Sequence, residues 1–393
     1  MRRAPTEAAG GTRAGSVLAA GRRAAFGLFV LGCLSLSGCA TTGSFDRTDL
    51  VRKIRDRGLD PERVVIPFEV TPEMKDWALK AAPEGLPLEI RLDRLFNAVL
   101  LDLKPAYVGG RTTTAPVVFA ERQANCLGFT SLLVGLARSI GIPTFYLAID
   151  DIERFSRDGD LVVISNHVSA AFNTGAQTRV LDFSVAPVTS YRDARALDDL
   201  SAVGLYYSNL GAEKLRTGDL DAAIELLRTS VALAPDISGA RINLGVTLRR
   251  RGDQAGAEAE YRAALEADPQ ASSAYQNLAA LLRQRGDAGE AEELLRISEH
   301  QGTKNPYSFL SLGDLALARG RLDEARRFYR RALGLYRENA EPYAAMGQWA
   351  FAKGNRDEAK KWLKKARAIE PENDRVERLE RRLSMPAPPT AAQ

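Results

Sequence analysis

Residues 122–150, RQANCLGFTSLLVGLARSIGIPTFYLAID, decide how the first half of this chain folds. Phe129, Leu132, Leu133, Leu136 and Ile140 recur at helical spacing, so the stretch predicts an amphipathic helix with one apolar, buried face. Gly141 and Pro143 end that helix, and Thr144 to Ile149 then predicts a strand. Cys126 falls at the helix N-terminus, where unpaired amides and the helix dipole favour thiolate over thiol. Asn125, just before it, is a candidate N-cap and also a candidate contributor to an oxyanion hole.

Upstream, Thr71-Pro72-Glu73 starts one helix, and Leu88, Leu92, Leu95, Phe96, Val99 and Leu100 give another an apolar face. A loop with Gly109-Gly110 and Thr112 to Thr114 leads to the cysteine helix. Downstream, the charged stretch from Asp150 to Asp160 predicts a loop. Leu161 to Phe172 then predicts a strand carrying His167, and a turn at Asn173 to Gln177 returns the chain along Arg179 to Phe183, which carries Asp182. A cysteine nucleophile needs a base, and the base needs a carboxylate to hold its tautomer. Cys126, His167 and Asp182 are candidates for those three roles, with the first amides of the helix as oxyanion donors.

Asn-Cys-Leu-Gly-Phe at 125–129, Ala-Arg-Ser-Ile-Gly-Ile-Pro at 137–143, Asn166-His167-Val168 and Leu181-Asp182-Phe183 together resemble the bacterial transglutaminase-like superfamily over roughly residues 85–185. The resemblance implies a papain-like α+β fold with Cys126 as nucleophile, His167 as base and Asp182 as orienting acid. Gln123-Ala124 departs from the glycine that relatives often carry there.

The chain has three cysteines and two histidines. Cys33 sits in an apolar run, Ala24 to Gly38, that follows five arginines and is too short to span a bilayer, so it predicts a secretory signal. Leu36-Ser37-Gly38-Cys39 resembles the bacterial lipobox, which implies cleavage before Cys39 and lipidation of its thiol. Ala40 stands where an inner-membrane lipoprotein commonly has aspartate, so the expected address is the outer membrane, facing the periplasm. Cys126 is then the sole free thiol of the mature chain. Without a cysteine pair or a spaced histidine pair, no metal site is expected, and no cofactor is implied. Residues 1–38 hold five arginines and one glutamate, so the net charge of +4 leaves with them. Nothing then suggests nucleic-acid binding.

From Gly204 a period of 34 residues sets in, with repeats starting at Gly204, Ser238, Ser272, Pro306 and Ala340. A small residue recurs at Gly211, Gly245, Ala279, Gly313 and Gly347, a glycine at 218, 252, 286, 320 and 354, and alanine at 223, 257, 291, 325 and 359. The pattern resembles the tetratricopeptide repeat, with prolines at 235, 269 and 371. That implies paired helices stacked into a solenoid that holds a peptide or protein partner. Asn209, Asn243 and Asn277 share one repeat position and are candidate contacts for an extended peptide backbone, although asparagine is also common there for packing reasons. Arg249, Arg250 and Arg283 make a basic cluster best explained as a solvated face.

The expected organisation is a lipoprotein signal peptide at 1–38, a lipidated tether at 39–61, an α+β papain-like, transglutaminase-like domain at 62–200, an all-α tetratricopeptide solenoid at 204–373, a capping helix at 374–384 and a disordered tail at 385–393. The expected function is that of an envelope lipoprotein whose cysteine performs acyl transfer, either amide hydrolysis or transamidation, while the repeats bind protein partners. The alternative is a non-catalytic scaffold or assembly factor in the cell envelope.

Overall fold

A computed structural model of the chain describes residues 45–158, 161–174, 177–183 and 194–385. The signal peptide, Cys33, the lipidation site Cys39 and the tail past 385 lie outside the described residues. The stretch expected as a tether leading into a frayed helix contains a helix, α1 (Arg47–Asp56), capped by the Asp46 carboxylate. Its Leu50 and Ile54, one turn apart, are buried in the core, so two apolar residues suffice to dock an otherwise charged helix.

Helices α2 (Pro72–Ala81) and α3 (Leu88–Ala98) follow, and α3 runs into a π-helical turn over Val99–Leu103. Strand β1 (Ala106–Tyr107), the short helix α4 (Ala115–Glu121), strand β2 (Gln123–Ala124) and α5 (Cys126–Ser139) come next. β1 and β2 pair in parallel, so the Gly109-Gly110 loop runs beside the approach to Cys126. Contrary to the single apolar face expected, α5 is buried on all sides from Leu127 to Ala137. Its second face carries Leu127 and Val134 flanked by Gly128, Thr130, Ser131 and Gly135, which are small enough for neighbouring segments to close over the helix.

The sheet is antiparallel in the order β5-β4-β3-β6, with β3 (Thr144–Asp158), β4 (Leu161–Asn173), β5 (Thr178–Leu181) and β6 (Ala194–Leu197). Tyr146 on β3 donates its hydroxyl to Ser131 Oγ on α5 at 2.9 Å, joining sheet to helix. The charged stretch expected as a loop continues instead as the far half of a long β3–β4 hairpin. Ladder hydrogen bonds satisfy the backbone there whatever the side-chain charge. Midway the register slips: Ile149 pairs with His167, and the next pair is Arg154 with Ser165. Asp150 to Glu153 therefore oppose only Asn166, a bulge that bends the hairpin beside His167.

Five helix pairs follow: α6 (Asp199–Thr217) with α7 (Leu220–Leu233), α8 (Ser238–Arg251) with α9 (Gln254–Ala267), α10 (Ser272–Arg285) with α11 (Ala288–His300), α12 (Pro306–Ala318) with α13 (Leu322–Leu335), and α14 (Ala340–Ala352) with α15 (Arg356–Ile369). The five alanines of the repeat are fully buried. A Cβ on Gly313 would meet the Tyr329 ring, which explains why the small-residue column exists. Helix α16 (Asp374–Ser384) closes the end, its buried Arg375 gripping both carboxylate oxygens of Asp314 at 2.8 and 2.6 Å.

The two halves share a core. Val203, Leu205, Tyr206 and Tyr207 of α6 and Leu233 of α7 belong to the same buried cluster as Leu133 and Leu136 of α5. Tyr207 Oη accepts the Val65 amide at 2.9 Å, and Arg138 of α5 pairs with Asp199 of α6 at 2.6 Å, where both side chains are largely buried.

A cysteine, histidine and aspartate at the start of α5

Asn125 fixes where α5 begins. Its Oδ1 accepts the Gly128 amide at 2.9 Å, an N-cap that leaves the Cys126 and Leu127 amides with no earlier carbonyl of the helix to bind. Its Nδ2 donates to Thr112 Oγ1 at 2.7 Å, and Thr112 donates both its hydroxyl and its amide to Glu213 Oε1 on α6, each at 2.7 Å. Both ends of the Asn125 amide are thus engaged, the oxygen in capping α5 and the nitrogen in holding Thr112. Burial pushes the Glu213 carboxyl up, opposed by the Thr112 hydrogen bonds and the nearby Arg216.

Cys126 is the first residue of α5 and is partly exposed. Thr130, one turn on, donates its hydroxyl to the Cys126 carbonyl at 2.9 Å and lies 3.2 Å from the Val168 carbonyl, tying the start of the helix to β4 next to His167. His167 Nε2 donates to Asp182 Oδ1 at 3.0 Å, with Ser169 Oγ at 3.4 Å from the same nitrogen. The Cys126 thiol lies close enough to His167 to add to the upward shift of its pKa.

Asp182 stands one residue beyond the Ala170–Leu181 pair that ends the β4–β5 ladder. It is anchored on both sides: Leu181 is buried, and the Phe183 ring stacks on Phe129 of α5 with centroids 5.0 Å apart. The acid is therefore held against the helix that carries the cysteine. Burial works to lower the pKa of His167, but the hydrogen bonds and charges of Asp182 and Cys126 outweigh it and push the value up from 6.5 to about 9. His167 is thus hydrogen-bonded to Asp182 and electrostatically coupled to Cys126.

The three asparagines of the repeats part company. Asn209 is half-buried on α6, whereas Asn243 and Asn277 are buried on α8 and α10. Asn277 holds an extended backbone, and the backbone belongs to this chain: Oδ1 accepts the Val162 amide at 2.8 Å and Nδ2 donates to the Val162 carbonyl at 2.9 Å. Arg250, from the basic cluster, donates to the Leu215 carbonyl at 3.0 Å, so it joins adjacent repeats rather than facing solvent alone. Among the described residues no cluster of histidine, cysteine and carboxylates fit for a metal is found, and no helix is long and apolar enough to cross a membrane.

Sequence patterns point to neither Thr112 nor Glu213, which lie 101 positions apart and carry no motif. The three threonines of the loop were the only trace of that contact.

Family models described as tetratricopeptide repeat match residues 209–272 and 277–340, residues 260–293 and residues 316–383. No curated protein gives a significant match. Among solved structures the chain is similar to a thermophilic TPR protein of Thermus thermophilus, at 23% identity over 46% of this chain and 100% of that one, with a TM-score of 0.40. It is similar also to PilW, described as a widely conserved type IV pilus biogenesis factor, at 21% identity over 46% of this chain and 88% of that one, TM-score 0.38. A third is YrrB, described as a TPR protein with an unusual peptide-binding site, at 18% identity over 45% of this chain and 92% of that one, TM-score 0.34.

Proposed function

From a C-terminal half built of tetratricopeptide repeats, we propose that this chain is an interaction scaffold whose solenoid takes up protein partners. The observation that carries the reading is the run of five helix pairs that the repeat models match. The test is retention of protein partners by an immobilised chain starting at Ala40, compared with the same chain carrying Asn243→Ala and Asn277→Ala. Equal retention by both chains sinks a role for this surface. The lipobox resemblance adds a lipid anchor at Cys39 in the outer membrane, facing the periplasm. Cys39→Ser should shift the full-length chain from the membrane to the soluble fraction.

A second reading is favoured by one observation, the His167–Asp182 hydrogen bond beside the Cys126 thiol. Here the N-terminal half is a transglutaminase-like domain with a papain-like arrangement. The Cys126 thiolate attacks an amide carbonyl, and the oxyanion is met by the first amides of α5. His167 gives its proton to the departing amine, leaving a thioester on Cys126. His167 then takes a proton from water or an acceptor amine, which resolves the thioester to acid or to new amide. Asp182 keeps Nε2 of the ring occupied throughout. Water is the expected acceptor in an aqueous compartment. Iodoacetamide alkylation of Cys126 at pH 7 tests this: His167→Ala should slow it at least tenfold. An unaltered rate leaves the scaffold reading alone.

A further inference from the structure

Strand β4 has a free edge. Its partner β5 pairs with it only from Ala170 to Asn173, so in the far half of the hairpin the backbone groups of β4 that point away from β3 have no strand beside them among the described residues. Val162 lies in that half, paired with Arg157 of β3, and its amide and carbonyl both go to Asn277 of α10. The Val162 side chain is fully buried and belongs to the core cluster of the repeats, with Leu244, Leu278 and Leu282, not to that of its own sheet. The hairpin therefore occupies the surface made by the first helices of the second and third repeats as a bound strand does. An asparagine that reads one amide and one carbonyl recognises backbone, so it accepts any sequence that presents an extended segment.

The occupancy is incomplete. Asn243 stands at the same repeat position 34 residues earlier, on α8, which also packs against β4. It is only 3% exposed, and its Oδ1 has no hydrogen-bond donor among the described residues. Ser311, at the same position one repeat after Asn277, is buried as well and accepts from Gln276 Nε2 at 2.7 Å. A polar ladder thus runs along the first helices, and the hairpin satisfies only one rung of it. The bulge between Ile149 and Arg154 also separates the docked half of the hairpin from the half fixed in the sheet, so the far half can leave without breaking the pairs that follow His167.

We propose that this surface is a strand-binding groove whose resident occupant is the chain's own β3–β4 hairpin, and that an extended segment of a partner protein takes its place by pairing its backbone with Asn277 and Asn243. The inference deepens the scaffold reading and rests on it. Because the hairpin is tethered, it competes at the high local concentration of an intramolecular ligand. A partner strand must therefore bind far more weakly to the intact chain than to one lacking the far half of the hairpin.

The experiment starts with hydrogen exchange on the unaltered chain from Ala40. Docking requires the Val162 amide to be protected, with Asn277→Ala accelerating its exchange at least tenfold while the α12–α15 amides stay protected. A Val162 amide that exchanges freely in the unaltered chain overturns the proposal, whatever any variant does. The second arm uses a chain whose residues 155–164 are replaced by an Asn-Gly turn, with a fluorescent peptide of residues 160–168 as the probe. The shortened chain should bind the peptide at least tenfold more tightly than the intact chain, and Asn277→Ala in the shortened chain should abolish that gain. Equal binding to both chains overturns the resident-occupant inference but leaves the scaffold reading standing on its own retention test. Binding to neither overturns the inference as well, because the groove then does not take a strand.

Discussion

His167 owes its charge at neutral pH to two neighbours. Burial alone disfavours the imidazolium, but Asp182 and Cys126 raise its folded pKa from 6.5 to about 9. A raised pKa means that the folded state holds the proton more tightly than the unfolded chain. The stabilisation is therefore complete below pH 6.5 and is lost as pH rises through 9, by on the order of 3 kcal/mol. Urea unfolding at pH 6 and at pH 9.5 should show that fall, and Asp182→Asn should flatten most of it. An equal fall in the variant would assign it to other groups. The residue types and order of Cys126, His167 and Asp182 were legible in the sequence, because each sits beside a short motif. The Asn125–Thr112–Glu213 chain was not, since a hydrogen bond across 101 positions leaves no periodicity behind. It should nonetheless be felt: Asn125→Ala removes a cap and strands Thr112, a loss of about 1–2 kcal/mol read from the urea midpoint.

Helix α5 was legible as a helix and misjudged in its surroundings. Pattern reading weighs large apolar side chains, and Gly128, Thr130, Ser131 and Gly135 are silent in it, yet they allow the helix to be enclosed. Gly135 shows why. A Cβ there would lie 2.3 Å from the Phe68 carbonyl oxygen, a backbone atom with little room to retreat, and 2.8 Å from Val70 Cγ1. Gly135→Ala gains helix propensity but forces the 66–70 segment away, and a net loss of about 1–3 kcal/mol is expected in urea unfolding. Nine residues of helix put that contact about 13 Å from Cys126, so the same substitution should also change the rate of thiol alkylation. A stable variant with an unchanged rate would show that the segment yields freely. The far half of the β3–β4 hairpin taught the converse lesson, for its charges suggested a loop where backbone pairing made a strand.

The 34-residue period made the solenoid visible, but a period describes how repeats meet one another and is silent on what the first one meets. Here α6 belongs to two cores at once, through Val203, Leu205 and Tyr207 on one side and Leu215 on the other. A chain ending at residue 200 should accordingly lack a cooperative thermal transition, whereas one ending at residue 252 should regain it. A sharp transition in the shorter chain would show that the N-terminal half folds unaided. Asn277 and Val162 are separated by 115 positions. A chain made N-terminus first at about 5–20 residues per second exposes the β4 edge for on the order of ten seconds before its cap is synthesised. During that interval the hairpin offers an unpaired rim to any other nascent strand, so the third repeat doubles as a late guard against misassembly of the half that precedes it.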